Sequence, residues 1–412
     1  MTASTLKMNN RAYTIAILVC FLACLPYWIQ AQERVSWEAE SIFMSNDGQH
    51  LAVGYEAYVK KEDRDEPGYD SGVWIYDLDD LSSPPRYLRG ASSDNTFIAI
   101  SSDSRYISLA EYQRLEIFNI GDNSLILDMQ RTATEKPLDL STISYSADGK
   151  FIMFLSDWWA TREHEMSIWD IDTGSRVLSI PAVRAGQSHQ LPKLSPDWRH
   201  FLDWWHPDGI QIHEFDTQQG LGAALGVVPI NASDVRGIAF SPDSSLFGLV
   251  MPDGEIKIYR TNTWELSYTQ VLGEYSCGNS DVTLAFGHIN PWLIFRCHTY
   301  GCASQCEWYG GLVVLDFETG AFLLIQNKAP SPRYITPDDG LLVAGTFGRV
   351  SEYSEITVWD AKGDFEMSVY PGTNPQVHPN GELMAATGPD GRVWIWNIKS
   401  KELLEVLPIP RQ

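Results

Sequence analysis

One phrase recurs along this chain and constrains its fold more than any bulk property. It is a short apolar strand, then a Ser-x-Asp-Gly type turn, then a second strand. The copies begin at Ile42–Gly48, Ile98–Ser104, Ile143–Gly149, Lys193–Asp197, Ile238–Ser244, Leu284–His288, Ile335–Gly340 and Val377–Gly381. Asp, Asn, Ser and Gly at the turn supply side-chain acceptors and left-handed backbone, so each copy predicts an antiparallel hairpin. The sixth copy, Leu284 to His288, lacks the acidic turn residue. A hairpin repeated at near-regular intervals implies units that bury their faces only by stacking on one another.

A second signal follows each hairpin at a longer interval: a third alternating strand with an aromatic-plus-polar ending. The strongest are Ile168-Trp169-Asp170, Val358-Trp359-Asp360 and Ile395-Trp396-Asn397, with variants at Tyr76, Phe118, His213, Tyr259 and Leu315. Successive endings lie 37 to 56 residues apart. A fourth short strand follows, as at Val177-Leu178-Ser179-Ile180. Taken together, the pattern resembles the WD40-repeat family across residues 41–408, and the resemblance implies an all-β β-propeller of four-stranded antiparallel blades. The Gly-His pair that precedes the first strand in that family is missing, since Gly287-His288 follows its strand. The family's buried His–Ser/Thr–Trp–Asp network is therefore not carried over, and a TolB-like propeller is a second form of the same resemblance. Eight copies predict eight blades; seven, with the sixth copy as an irregular insertion, is the alternative. Leu403 to Leu407 can supply the outer strand of the last blade, so the ring needs no N-terminal strand to latch it.

Residues 1–31 read as a signal peptide. Lys7 and Arg11 precede the apolar stretch Ala16 to Leu25, and Ile29-Gln30-Ala31 offers a small residue for cleavage. A retained anchor and a lipoprotein site at Cys24 are the other readings. Residues 32–40 then form a lead-in and 41–412 the propeller. Losing residues 1–31 takes the formal net charge from −23 to −25. So acidic a surface repels phosphate backbones and anionic lipid, which argues against nucleic acid as a partner and leaves membrane contact to the N-terminal segment alone. The expected location is secreted, periplasmic or cell-envelope.

In a propeller the loops between second and third strands share one face with the blade-to-blade connections. Three of these loops contain tight turns, Pro207-Asp208-Gly209, Pro252-Asp253-Gly254 and Pro389-Asp390-Gly391. Longer ones run over Glu56–Gly72, Asp157–Glu165, Cys297–Gly311 and Thr346–Glu355. They and the fourth repeat carry Trp158, Trp159, Trp204, Trp205, His206, Trp308, Tyr309, Phe347 and Tyr353, the candidate ligand-binding face. Packing of the same side chains between blades is the competing reading.

Four of the six cysteines, Cys277, Cys297, Cys302 and Cys306, fall within 30 residues. In an exported chain an even set predicts two disulfides; three connectivities are open, with Cys277–Cys297 and Cys302–Cys306 favoured. The spacing does not match structural zinc sites, and the acidic run Glu62 to Asp70 does not follow the EF-hand order, so no metal is expected. No Gly-x-Ser-x-Gly elbow, His-Glu-x-x-His pair or phosphate-binding glycine loop occurs. The expectation is thus an exported, non-enzymatic scaffold with no cofactor, binding a protein or peptide. A carbohydrate ligand on stacked Trp side chains, or an enzyme with a site at the central channel, are the alternatives.

Overall fold

The computed structural model describes residues 37–409, except 60–67, 92–96, 112–113, 131–142, 159–162, 184–192, 204–208, 218–219, 231–233, 274, 277–281, 283, 300–309, 327–331, 346–353 and 362–366. Within them the chain forms eight antiparallel sheets in sequence order, each a blade, and no α-helix. The eight blades are the eight repeats, so the seven-blade alternative is excluded.

Each blade is a meander from an inner strand to an outer one. Blade 3 runs Ile143–Tyr145, Phe151–Trp158, Glu163–Asp170, Ser175–Val183, and the sheet order follows the chain. The weak sixth copy also makes a blade. Its inner position is split into Tyr275–Ser276 and Leu284–Phe286, both paired to Trp292–Thr299. The first inner strand spans Trp37–Met44, so four residues of the segment read as lead-in belong to blade 1.

Burial explains why the second and third strands are nearly continuous apolar runs. Along Phe151–Phe154, Phe151 and Met153 pack toward blade 4, whereas Ile152 and Phe154 pack toward blade 2. A strand with both faces covered has no solvent side, so the polar half of the usual alternation is lost. Eight apolar clusters result, each built from two adjacent blades. The recurrent ending has its role here: Tyr76, Phe118, Trp169, Tyr259, Leu315, Trp359 and Trp396 each pack back on the preceding blade. In five blades the pairing of third and outer strands slips at the residue just before that ending, for example between Ile168 and Trp169. A bulge there adds twist, which is what blades splaying from a common axis require.

The ring closes without strand exchange. Blade 8 takes all four strands, Thr373–Val377, Leu383–Thr387, Val393–Asn397 and Glu402–Leu407, from the C-terminal end. Its join to blade 1 is a cluster containing Ile42, Leu51, Tyr55, Tyr76, Val393, Ile395 and Leu407. Hydrogen bonds cross this seam: Ala39 N–H to Gly391 O at 2.8 Å, Thr387 Oγ1 to Ala39 O at 3.0 Å and Tyr76 OH to Pro408 O at 3.1 Å. The Tyr55 and Tyr76 hydroxyls lie 3.0 Å apart.

Candidate functional site

Antiparallel meanders put all connections of one kind at one end of the blade. The loops between second and third strands, and those from each outer strand to the next inner strand, therefore share one face of the ring. Most residues singled out from sequence, namely Trp159, Trp204, Trp205, His206, Trp308, Tyr309, Phe347, Tyr353, Cys277, Cys302 and Cys306, lie outside the described residues. Trp158 and Cys297 are described in backbone only. Trp158 ends a second strand opposite Glu163, and Cys297 pairs with Gly311. Strands also reach further into the expected loops than the sequence suggested: His50–Val59 and Gly68–Asp77 take in both ends of the segment Glu56–Gly72. Two hairpins on this face are fully described and tight. Gly254 N–H bonds Met251 O at 3.1 Å and Gly391 N–H bonds Gly388 O at 3.0 Å.

The opposite face is a girdle of the recurrent turns, and its geometry is closely repeated. In six of the eight copies a hydroxyl donates to the Asp two residues on and accepts from the N–H that starts the second strand. The donor–acceptor pairs are Ser45–Asp47, Ser101–Asp103, Ser146–Asp148, Ser195–Asp197, Ser241–Asp243 and Thr336–Asp338, at 2.5 to 2.7 Å. Burial opposes ionisation of Asp47, Asp103, Asp148 and Asp243. Hydrogen bonds from the hydroxyl and from backbone N–H outweigh it, so each pKa lies below the ordinary 3.8. Successive turns also touch: Asp47 N–H donates to Ser104 Oγ, Asp197 N–H to Ser244 Oγ, and His378 Nε2 lies 3.1 Å from Gly48 O across the seam.

Blade 6 has no hydroxyl at Gly287, and blade 7 compensates. Asp339 is fully buried at φ +52°, and its carboxylate accepts from the N–H groups of His288, Ile289 and Asn290 at 2.6 to 2.8 Å. Three convergent N–H groups form an anion nest, here filled by the chain's own carboxylate. The sequence reading treated Asp339 as one more turn residue. Its signal was the doubled acid in Asp338-Asp339-Gly340 directly after the repeat that lost its own.

At the aromatic endings the structure shows a departure from the WD40 pattern. The indole N–H groups of Trp169 and Trp396 are buried without a hydrogen-bond acceptor. These side chains act as apolar wedges between blades and not as donors in a polar network. Among the described residues, no group of three His, Cys, Asp or Glu is arranged to hold a metal.

No model of a known protein family matches the chain, and no curated protein matches it in sequence. Solved structures do. A eukaryotic initiation factor aligns at TM-score 0.52 and 14% identity over 85% of this chain and 94% of that one. The dihydro-heme d1 dehydrogenase NirN, in complex with DHE, aligns at TM-score 0.57 and 15% identity over 92% of this chain and 74% of that one. A chain of the mitotic checkpoint complex aligns at TM-score 0.50 and 14% identity over 82% and 98%. Identities this low make the likeness one of fold, and a fold of this kind hosts both enzymes and scaffolds.

Proposed function

We propose that this chain is an exported scaffold that binds a protein or peptide on the face carrying its second-to-third-strand and blade-to-blade loops. The observation that carries this reading is the division of labour between the two ends of the ring. One end is a girdle of short turns that spend their polar groups on each other. The other holds the longest spans between described strands, from Gln130 to Ile143, Val183 to Lys193 and Thr299 to Gly310, on a frame made rigid by eight inter-blade cores. Aromatic residues concentrate in those connections, and Trp and Tyr supply much of the binding energy at protein interfaces. Two of the three aligned structures are a factor and a member of a complex, by their printed descriptions, and this fits a partner-binding role.

Capture of partners by the full chain tests the proposal. Wild type is compared with Trp158→Ala/Trp159→Ala, Trp204→Ala/Trp205→Ala and Trp308→Ala/Tyr309→Ala. Loss of one shared partner in at least two of these variants, with unfolding unchanged, is expected. Retention of every partner in all three would remove the basis for this face.

Export and the cysteines belong to the same reading. Tyr275 pairs with Thr299 and Ser276 with His298. Continuing that register by one residue would set Cys277 opposite Cys297, at a strand-pair spacing that a disulfide can bridge. Peptide mapping of the exported protein without reductant should recover the Cys277–Cys297 pair; free thiols at both positions would refute it.

A further inference from the structure

The outer strands are the exposed edges of the ring, and they divide into two kinds by position. In blades 8, 1, 2 and 3 each carries charge: Glu402 and Glu405, Arg86 and Arg89, Asp128, and Arg176. In blades 4, 5, 6 and 7 the outer strands are Gly220–Val228, Leu266–Val271, Phe322–Gln326 and Met367–Pro371. These hold no charged residue in nine, six, five and five positions respectively. The four are consecutive round the ring, so the protein has one charged side wall and one neutral side wall. Charges on outer strands are a usual guard against edge-to-edge association, and half of this ring lacks them.

Among the described residues, exposed large apolar side chains are more numerous on the neutral wall than on the charged one, where Tyr87, Leu125, Ile126 and Leu404 are the examples. Leu225, Val227, Leu266, Val271, Phe322 and Val369 are each 41 to 58% exposed. The wall is continuous near its rim from blade 4 to blade 6. Gly226 lies against Trp264 of blade 5, and Gln270 Nε2 donates to Gly320 O of blade 6 at 3.3 Å. Strands of five to nine residues rise roughly 17–30 Å. These four strands follow about half of an eight-bladed ring, so a second copy rests on the outer strands of two neighbouring blades, a contact smaller than the ~800 Å² per partner of a standard interface and suited to a weak, concentration-dependent dimer.

We infer that the wall formed by blades 4 to 7 is a homodimer interface, with a second copy of this chain as its occupant. The argument is one of charge. A chain of formal net charge −23 repels its own copy over most of its surface. Two copies meet at least electrostatic cost where outer strands are uncharged, and an apolar wall is complementary to itself about a two-fold axis. A cationic partner, by contrast, gains nothing from this wall and favours the acidic remainder. Dimerisation here leaves both ends of the ring free, so each dimer presents two loop faces.

Sedimentation velocity of the full chain, over about a hundred-fold range of concentration and at low and high salt, tests this. A monomer–dimer equilibrium that tightens as salt rises is expected, because screening removes the repulsion between copies. Val271→Glu and Phe322→Glu should each raise the dissociation constant at least ten-fold, while Glu405→Leu on the charged wall leaves it unchanged. Circular dichroism melts establish that the variants fold. A chain monomeric throughout, a dimer indifferent to both substitutions, or a dimer that weakens with salt would each overturn the inference. So would a monomer that floats with uncharged phosphatidylcholine vesicles and loses that property in the same variants, since the wall would then dock on lipid.

Discussion

At the scale of single residues, the repeat is held by small polar devices whose value depends on what neighbours them. Asp339 is the sharpest case, because three backbone N–H groups of blade 6 rely on its carboxylate. Asp339→Ala should cost about 3 kcal/mol, since it strands those donors in a buried site. Asp339→Gly, which also relieves the positive φ, should recover part of the loss but not most of it; denaturant unfolding of both variants checks this. Trp396 behaves in the opposite way. Its ring packs in the blade 7–8 cluster, but its N–H has no acceptor, so Trp396→Phe removes an unsatisfied donor along with some contact. The two effects nearly cancel, and a change within about 1 kcal/mol is expected. A loss of several kcal/mol would show that the indole N–H does have a structural partner. Trp198 illustrates a third balance: it occupies the left-handed turn position, φ +57°, that Gly48 and Gly149 fill in other copies. Its ring, 6.1 Å from Phe215 and 6.5 Å from Phe151, offsets that strain by filling the blade 3–4 interface.

At the scale of elements, the hairpin turn is the unit that the sequence repeats and the structure reuses. The tight turn at Gly388–Gly391 depends on Gly391, which adopts φ +74° with Glu38 of blade 1 lying where a Cβ would go. Gly391→Ala should cost about 1–2 kcal/mol, because an L-residue is strained there. A shift in the thermal midpoint reads it, and Asn at this position should be milder than Ala. The eight strand–turn–strand phrases were legible because turn chemistry is local: a Ser and an Asp two residues apart bond each other whatever surrounds them. The candidate binding face was legible only as a list of aromatic residues in long connections, since nothing local distinguishes a displayed Trp from a packed one. The extent of the strands was also misjudged for a physical reason. The charges from Lys60 to Glu66 make the whole segment Glu56 to Gly72 read as loop, yet Glu56 to Val59 pair with the Gly-Tyr-Asp-Ser run from Gly68 to Ser71 as a ladder. Backbone pairing does not need apolar side chains at the rim.

At the scale of the whole molecule, the ring is closed without an exchanged strand. The seam relies on one apolar cluster and a few hydrogen bonds, with no exchanged strand to bind blade 8 to blade 1. Deleting the outer strand Glu402–Leu407 removes Leu407 from that cluster and the chain that carries Pro408 O. Loss of cooperative unfolding is expected, whereas the same deletion in a strand-latched ring would leave a latch in place. Acid should open the ring by a related route. Burial holds the His50 and His200 imidazoles below the ordinary 6.5, so the unfolded chain takes up protons first as pH falls. Stability from these groups is present above pH 6.5 and is lost as pH drops below it toward their folded-state values. Below 3.8 the turn carboxylates add to the loss, because Asp47, Asp103, Asp148 and Asp243 also bind protons less readily when folded. Melting temperatures measured from pH 8 to pH 3 should fall in two stages; a flat profile between pH 7 and 5 would contradict the histidine contribution.

The sequence by itself determined the repeat and the order of strands within each blade. Each of these rests on contacts between residues close along the chain, and alternation, turn chemistry and spacing report them directly. Only the tertiary structure decided that the weak sixth copy forms a full blade, that Asp339 repairs its missing turn, and that the Trp169 and Trp396 indoles are wedges without hydrogen-bond partners. It alone showed that the outer rim has a charged side and a neutral side. Those features depend on which blades become neighbours and how the ring closes. A sequence read one repeat at a time holds no term for the groups that meet across a blade interface or around a circle.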